Sequence, residues 1–172
     1  DHGLSRAWLS TFMSVLTLGG AVVQLPLGRL SDHMDRRYVI LGICVASAIV
    51  GTVLYLFAGS GRTNLLILIG LFGITALPFY GLSVAHANDR IPRESFVEAS
   101  ATLLMLNALA ACFGPSIAAQ VIDHWGSGAL FLYTAAIHVA MAVFIIYRLT
   151  VREALIGETR DNFEMMPQQG FP

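Results

Sequence analysis

The sequence predicts an all-α membrane protein of five transmembrane helices, and two observations carry that reading. Charged residues make up 12 % of the chain and hydrophobic residues 56 %, against about 25 % and about 45–50 % in a soluble domain. The placement of the charges weighs more than their number. Residues 7–28, 38–61, 63–88, 99–122 and 124–147 contain no Asp, Glu, Arg or Lys. Each stretch is longer than the roughly 20 residues that an α-helix needs to cross the hydrocarbon core. A helix on the surface of a soluble protein would carry a polar face, and none of the five stretches has one.

Taken in order, residues 1–6 form a short outer segment. The first helix covers about 7–27 and contains Gly19-Gly20, a pair that permits close approach of a neighbouring helix. Pro26 falls near its end, where a lost backbone bond is easily satisfied. The second helix, about 39–57, has a small face at Ser47-x-x-x-Gly51. A tight connection, Gly59-Ser60-Gly61-Arg62-Thr63, leads to a third helix over about 64–85. Pro78 lies inside that helix and is expected to kink it. Ser95-Phe96-Val97-Glu98 has the form of a capping box, so the fourth helix is placed at about 96–122, with a break expected at Gly114-Pro115. The fifth covers about 129–149. Residues 1–149 are thus one transmembrane bundle, and 150–172 a polar tail containing Pro167 and Pro172.

Because charges lie only in loops, helix ends and tails, orientation can be read. Arg29, Arg36, Arg37, Arg90, Arg93, Arg148, Arg152 and Arg160 fall on one side, and Arg6 and Arg62 on the other. Short loops rich in positive residues stay cytoplasmic. The reading is therefore a multi-pass protein of the plasma membrane (the inner membrane of a bacterium) with a cytoplasmic C-terminus. A net charge of −1 without a basic stripe gives no reason to expect a nucleic-acid partner. Cys44 and Cys112 fall mid-helix without metal-ligand neighbours in sequence and read as small packing residues. No secretory signal precedes the first helix and the chain opens with Asp, so a piece of a longer protein is expected.

The densest charge cluster near the start is Gly28-Arg29-Leu30-Ser31-Asp32-His33-Met34-Asp35-Arg36-Arg37. Such a loop must turn, start a new helix and satisfy two arginines. Gly28 removes bulk where the first helix exits. Asp35 is placed to cap the second helix and to favour its N-terminus by charge. Asp32 stands four residues before Arg36, within ion-pair reach. An ordinary positive-inside loop with local ion pairs would also do these things, but it would not require these residues in this order. His33 between Asp32 and Asp35 is not read as a metal site, since Arg36 and Arg37 oppose a cation, and no cofactor is expected.

The cluster resembles the G-x-L-x-D-x-x-(G/D)-R-R signature of the major facilitator superfamily. In that family the loop joins the second and third helices of each six-helix half, and its carboxylate latches the outward-open state against the opposite half. The resemblance implies that Asp32 is the latch carboxylate, Gly28 a packing glycine, and Arg36 and Arg37 the accompanying charge pair, with Asp35 where a second glycine often stands. The third helix lacks an arginine, Phe113-Gly114-Pro115 is similar to the break of the family's eleventh helix, and a short tail follows the fifth helix. These features point to the C-terminal half, helices eight to twelve of a partial six-helix bundle.

By the same resemblance the third helix borders the transport cavity. Thr75, Phe79, Tyr80 and Ser83 are its candidates, followed by Ser14, Thr17 and Gln24 on the first helix and Asn107 on the fourth. Each also has a plain alternative, an interhelical hydrogen bond. No carboxylate lies mid-helix, so any proton-coupling group is sought outside these residues. His138 reads as a packing histidine and His86 as part of an interfacial gate. The implied function is that of a fragment of a secondary active transporter for a small solute. Its partners would be the lipid bilayer and a missing N-terminal half. The alternative is a non-transporting scaffold or regulatory protein that retains the fold. Polar residues do not cluster at one depth as an enzyme would need.

Overall fold

The computed structural model describes residues 6–57 and 59–151. Its elements are α1 (Arg6–His33), α2 (Arg36–Phe57), α3 (Arg62–Ala76), α4 (Pro78–Asn88), a 3-10 turn (Arg93–Ser95), α5 (Phe96–Trp125) and α6 (Ala129–Val151). No strand occurs among the described residues. With α3 and α4 taken together, five helices are long and apolar enough to cross a membrane. The segments 1–5 and 152–172, which hold the expected outer segment and most of the expected tail, lie outside the described residues.

α1 lies on α3, α2 lies on α6, and α3 also packs on α2. A core forms where Val39, Ile40, Ile43 and Cys44 of α2 meet Leu82 of α4 and Ala142 and Ile145 of α6. Cys44 is fully enclosed there and packs as a small hydrophobe. The α1–α3 crossing depends on missing side chains. A Cβ on Gly19 would stand 2.5 Å from the Gly70 carbonyl oxygen, and one on Gly73 would run into the Leu16 backbone. With no hydrophobic drive between helices in lipid, such close backbone packing is the main source of association. α1 and α5 contribute least to the core, and the most apolar stretch of α5 has no buried residue.

Three local expectations differ from the structure, and one, at Pro78, agrees with it. α1 runs on to His33, so Gly28 and Asp32 sit on its last turns rather than in a loop. Nothing in Arg29–His33 breaks a helix, and Ser31 Oγ and the His33 ring bond back to the carbonyls of Gly28 and Arg29. At about 1.5 Å per residue, 28 residues extend well past a hydrocarbon core of about 30 Å. At Pro78 the expected disturbance is present, and the third span divides there into α3 and α4. They meet at Leu77, whose amide still bonds to the Gly73 carbonyl, and Pro78 opens α4 where a missing N–H costs least. In α5, by contrast, the helix continues through Gly114-Pro115 without a break. Membrane helices tolerate the freed carbonyl when neighbours or local adjustment satisfy it. Finally, Ser95 is the N-cap of α5 but makes no side-chain capping bond, and its amide, the donor that Glu98 would engage in a capping box, goes instead to the Pro92 carbonyl.

Candidate functional site: a charge network at the arginine-rich end

The C-termini of α1, α4 and α6 and the N-terminus of α2 meet at one end of the bundle, and the arginines gather there. Asp35, the residue before α2, accepts a hydrogen bond from the Arg37 amide at 3.0 Å, which caps the helix. The same carboxylate accepts from Arg37 Nε at 2.9 Å and Nη2 at 2.7 Å. This fork holds the buried guanidinium in one orientation. Burial raises the pKa of Asp35, but hydrogen bonds from Arg37 and its positive charge outweigh that effect and hold the carboxyl below its ordinary value.

Arg36 joins three helices. Its Nη2 lies 2.8 Å from Asp32 Oδ1 on α1, and its Nε lies 2.7 Å from Asp89 Oδ2 at the end of α4. The Arg36 side chain is 15 % exposed and that of Asp89 23 %, whereas that of Asp32 is 57 % exposed. The Arg36–Asp89 pair is therefore partly shielded from water, and Asp32 stands at the edge of the network. The Asp32–Arg36 contact is readable from i,i+4 spacing. Asp89 could not be found that way, because only tertiary packing brings it to Arg36.

Behind this network is a cavity of about 340 Å³ between α2, α4 and α6. Arg37, His86, Arg90 and Arg148 line one part of it, and Ile40, Phe79, Met141, Phe144 and Ile145 the other. Deeper in the bundle, the half-buried His138 donates from Nδ1 to the Thr134 carbonyl at 2.7 Å. Its ring stands edge-on to Phe72 and Phe79, at 6.2 and 6.3 Å between centroids.

The other sequence candidates are spread over several faces. Phe79 and Ser83 line this cavity beside α6. Thr75 is half-buried, and its hydroxyl donates back to the Leu71 and Phe72 carbonyls. Gln24, Tyr80 and Asn107 are exposed on α1, α4 and α5. No neighbour lies within 4 Å of where a Cβ on Gly28 or Gly114 would stand. Among the described residues, no group of three His, Cys, Asp or Glu could hold a metal ion.

The fold and this network define an integral-membrane bundle with a network of ion pairs at one end. The model of the Major Facilitator Superfamily matches residues 1–165, and the chain belongs to that family. Its relatives include the MFS-type transporter YcaD of Escherichia fergusonii, itself uncharacterized. That protein is 26 % identical over 136 residues, which cover 79 % of this chain and 34 % of the relative. YcaD of Salmonella paratyphi B and of Salmonella newport are each 27 % identical over 136 residues, again 79 % of this chain and 34 % of the relative. The chain thus spans about a third of the length of the curated relatives it matches. No solved structure matches it.

Proposed function

We propose that these 172 residues are helices eight to twelve of a secondary active transporter, which moves a small solute by rocking two helical halves about a central site. The observation that carries this reading is the Asp32–Arg36–Asp89 network, in which a family signature ties the ends of α1, α2 and α4 and leaves its first carboxylate largely exposed. In the proposed cycle Asp32 reaches the opposite half in one state and releases it in the other. The uncovered faces of α1 and α5 and the coverage of a third of each relative support a partner half that lies outside these residues. Exposed Gln24, Tyr80 and Asn107 are the proposed cavity-facing polar groups. The arginine-rich end is placed on the cytoplasmic side by the charge rule. Transport rather than chemical conversion is the activity that this family membership supports.

Two measurements test the reading. Full-length protein in sealed vesicles should take up or exchange a labelled solute saturably, while the 172-residue chain alone should not, because half of the cavity wall is absent. Single cysteines at Ser60 and His33 should be labelled from opposite faces. Labelling of both from one face would overturn the orientation, and a full-length protein that exchanges no solute across a broad panel would favour a scaffold.

A further inference from the structure

We propose that His138 is a positioning residue for the third span: its ring clasps Phe72 of α3 and Phe79 of α4 across the break at Leu77–Pro78 and so sets the angle between the two helices. The clasp stands on these contacts and not on the transport reading.

The break is weak by its chemistry. Pro78 has no N–H to offer the Ile74 carbonyl, so one rung of the helix ladder is missing where α3 meets α4. Each helix is anchored on its own side of that point. α3 is pressed on α1 where Gly73 meets the Leu16 backbone. α4 is tied nearer its far end, through Leu82 in the core and Asp89 on Arg36. Backbone packing on α6 holds neither of them, because no Cα of α6 comes within 8 Å of one in α3 or α4. Rings bridge that gap instead. Phe131 stands edge-on to Phe72 at 6.5 Å between centroids, Phe72 to His138 at 6.2 Å, and His138 to Phe79 at 6.3 Å. Phe131 and His138 are two helical turns apart on α6, and Phe72 and Phe79 are spaced alike along the third span, so each pair shares one face. Of the two α6 rings, His138 is the one that meets both sides of the break. Its Nδ1 donates to the Thr134 carbonyl at 2.7 Å, which fixes the rotation of the ring. Edge-to-face pairs are directional, so a ring fixed in rotation also orients the two rings it meets. Phe79 lines the cavity with Ser83 and His86, and the angle of α4 therefore positions that wall.

The test is a distance measurement between spin labels on the full-length protein in vesicles, in a background with no other accessible cysteine. Labels at Asn64 and Ala87 span the break, and labels at Thr11 and Asn64 report the α1–α3 contact. The parent should give one narrow distance for each pair. His138→Ala should raise the share of displaced Asn64–Ala87 distances by about tenfold and leave the Thr11–Asn64 distance unchanged. His138→Leu, which fills the space without a ring, should behave alike and covers the case in which the alanine variant does not fold. His138→Phe, which keeps a ring, should recover most of the narrow distribution. Phe131→Ala, which removes a ring contact on the α3 side, should leave it narrow. An unchanged Asn64–Ala87 distribution in both His138→Ala and His138→Leu would overturn the proposal. So would broadening of both label pairs together, which marks a general loss of packing, or an equal effect of Phe131→Ala. Failure of His138→Phe to recover the distribution would put the effect in the hydrogen bond and not in the ring contacts, and would overturn the clasp as well. Solute exchange by the same preparations is read separately, so failure of the clasp leaves the transport reading standing.

Discussion

Arg36 Nε lies 2.7 Å from Asp89 Oδ2, and this one contact ties the start of α2 to the end of α4. Because the same guanidinium also holds Asp32, two carboxylates from two other helices share one cation. A planar guanidinium offers separate nitrogens to the two in fixed directions, whereas an ammonium on a flexible stem would have to give up more conformational freedom to hold both. Arg36→Ala should destabilise the bundle by about 1–3 kcal/mol, since it leaves a partly shielded Asp89 without that ion pair. Arg36→Lys should recover less than half of the loss. Thermal unfolding in detergent, run as a double-mutant cycle with Asp89→Asn, checks this. Strictly additive losses would mean that the pair contributes nothing.

Close helix contact should make substitution at glycines strongly position-dependent. A Cβ at Gly73 meets the Leu16 backbone, which cannot yield as a side-chain tip can, whereas a Cβ at Gly114 meets nothing within 4 Å. Gly73→Ala should therefore cost about 1–3 kcal/mol through overpacking at the α1–α3 crossing. Gly114→Ala should be neutral or slightly stabilising in these helices, because alanine is the better helix former. Equal effects at the two positions would contradict the crossing.

Much of this architecture is legible along the chain because lipid imposes a simple rule, that charges stay out of the spans. The same rule places the arginines at helix ends, and i,i+4 spacing is enough to suggest the Asp32–Arg36 contact. Other features need the third dimension. Asp89 lies far from Arg36 in sequence, and the cavity draws its lining from three helices. Helix ends were also poorly marked. Arg29–His33 has no helix breaker, so α1 continues beyond the apolar stretch. Proline gives no single answer either: at Pro78 it begins a new helix, and at Pro115 the helix continues past it.

The Asp35–Arg37 fork predicts a pH dependence with a definite sign. The folded-state pKa of Asp35 is lowered, so its stabilising contribution is fully present above the unfolded value, about 3.9. It is lost as pH falls through the lower folded value. Wild-type protein should therefore be more stable than Asp35→Asn at pH 6, with the gap narrowing below about pH 4. Unfolding midpoints across pH 3–6 measure it. A gap that widens on acidification would reverse the assignment.

The exposed edge of the network is where function and stability should separate. Asp32 is more solvent-accessible than Asp35 and Asp89, and an exposed ion pair contributes only about 0–1 kcal/mol. Asp32→Asn should therefore leave expression and thermal stability near those of the parent. Its effect on a conformational equilibrium can be larger, because about 1.4 kcal/mol of preference for one of two states shifts their ratio tenfold. If Asp32 latches the outward-open state, the asparagine variant of the full-length protein should favour inward-open forms and slow turnover by about tenfold. Arg36→Ala should slow transport too, but with the loss of stability argued above, which distinguishes the residue that holds the bundle from the one that reaches across it. His33, whose ring bonds to the Arg29 carbonyl one turn back, should be nearly silent as His33→Ala. Initial rates of solute exchange, read beside unfolding midpoints for the three variants, decide the matter. Normal transport by Asp32→Asn, or a transport defect confined to His33→Ala, would remove Asp32 from the latch.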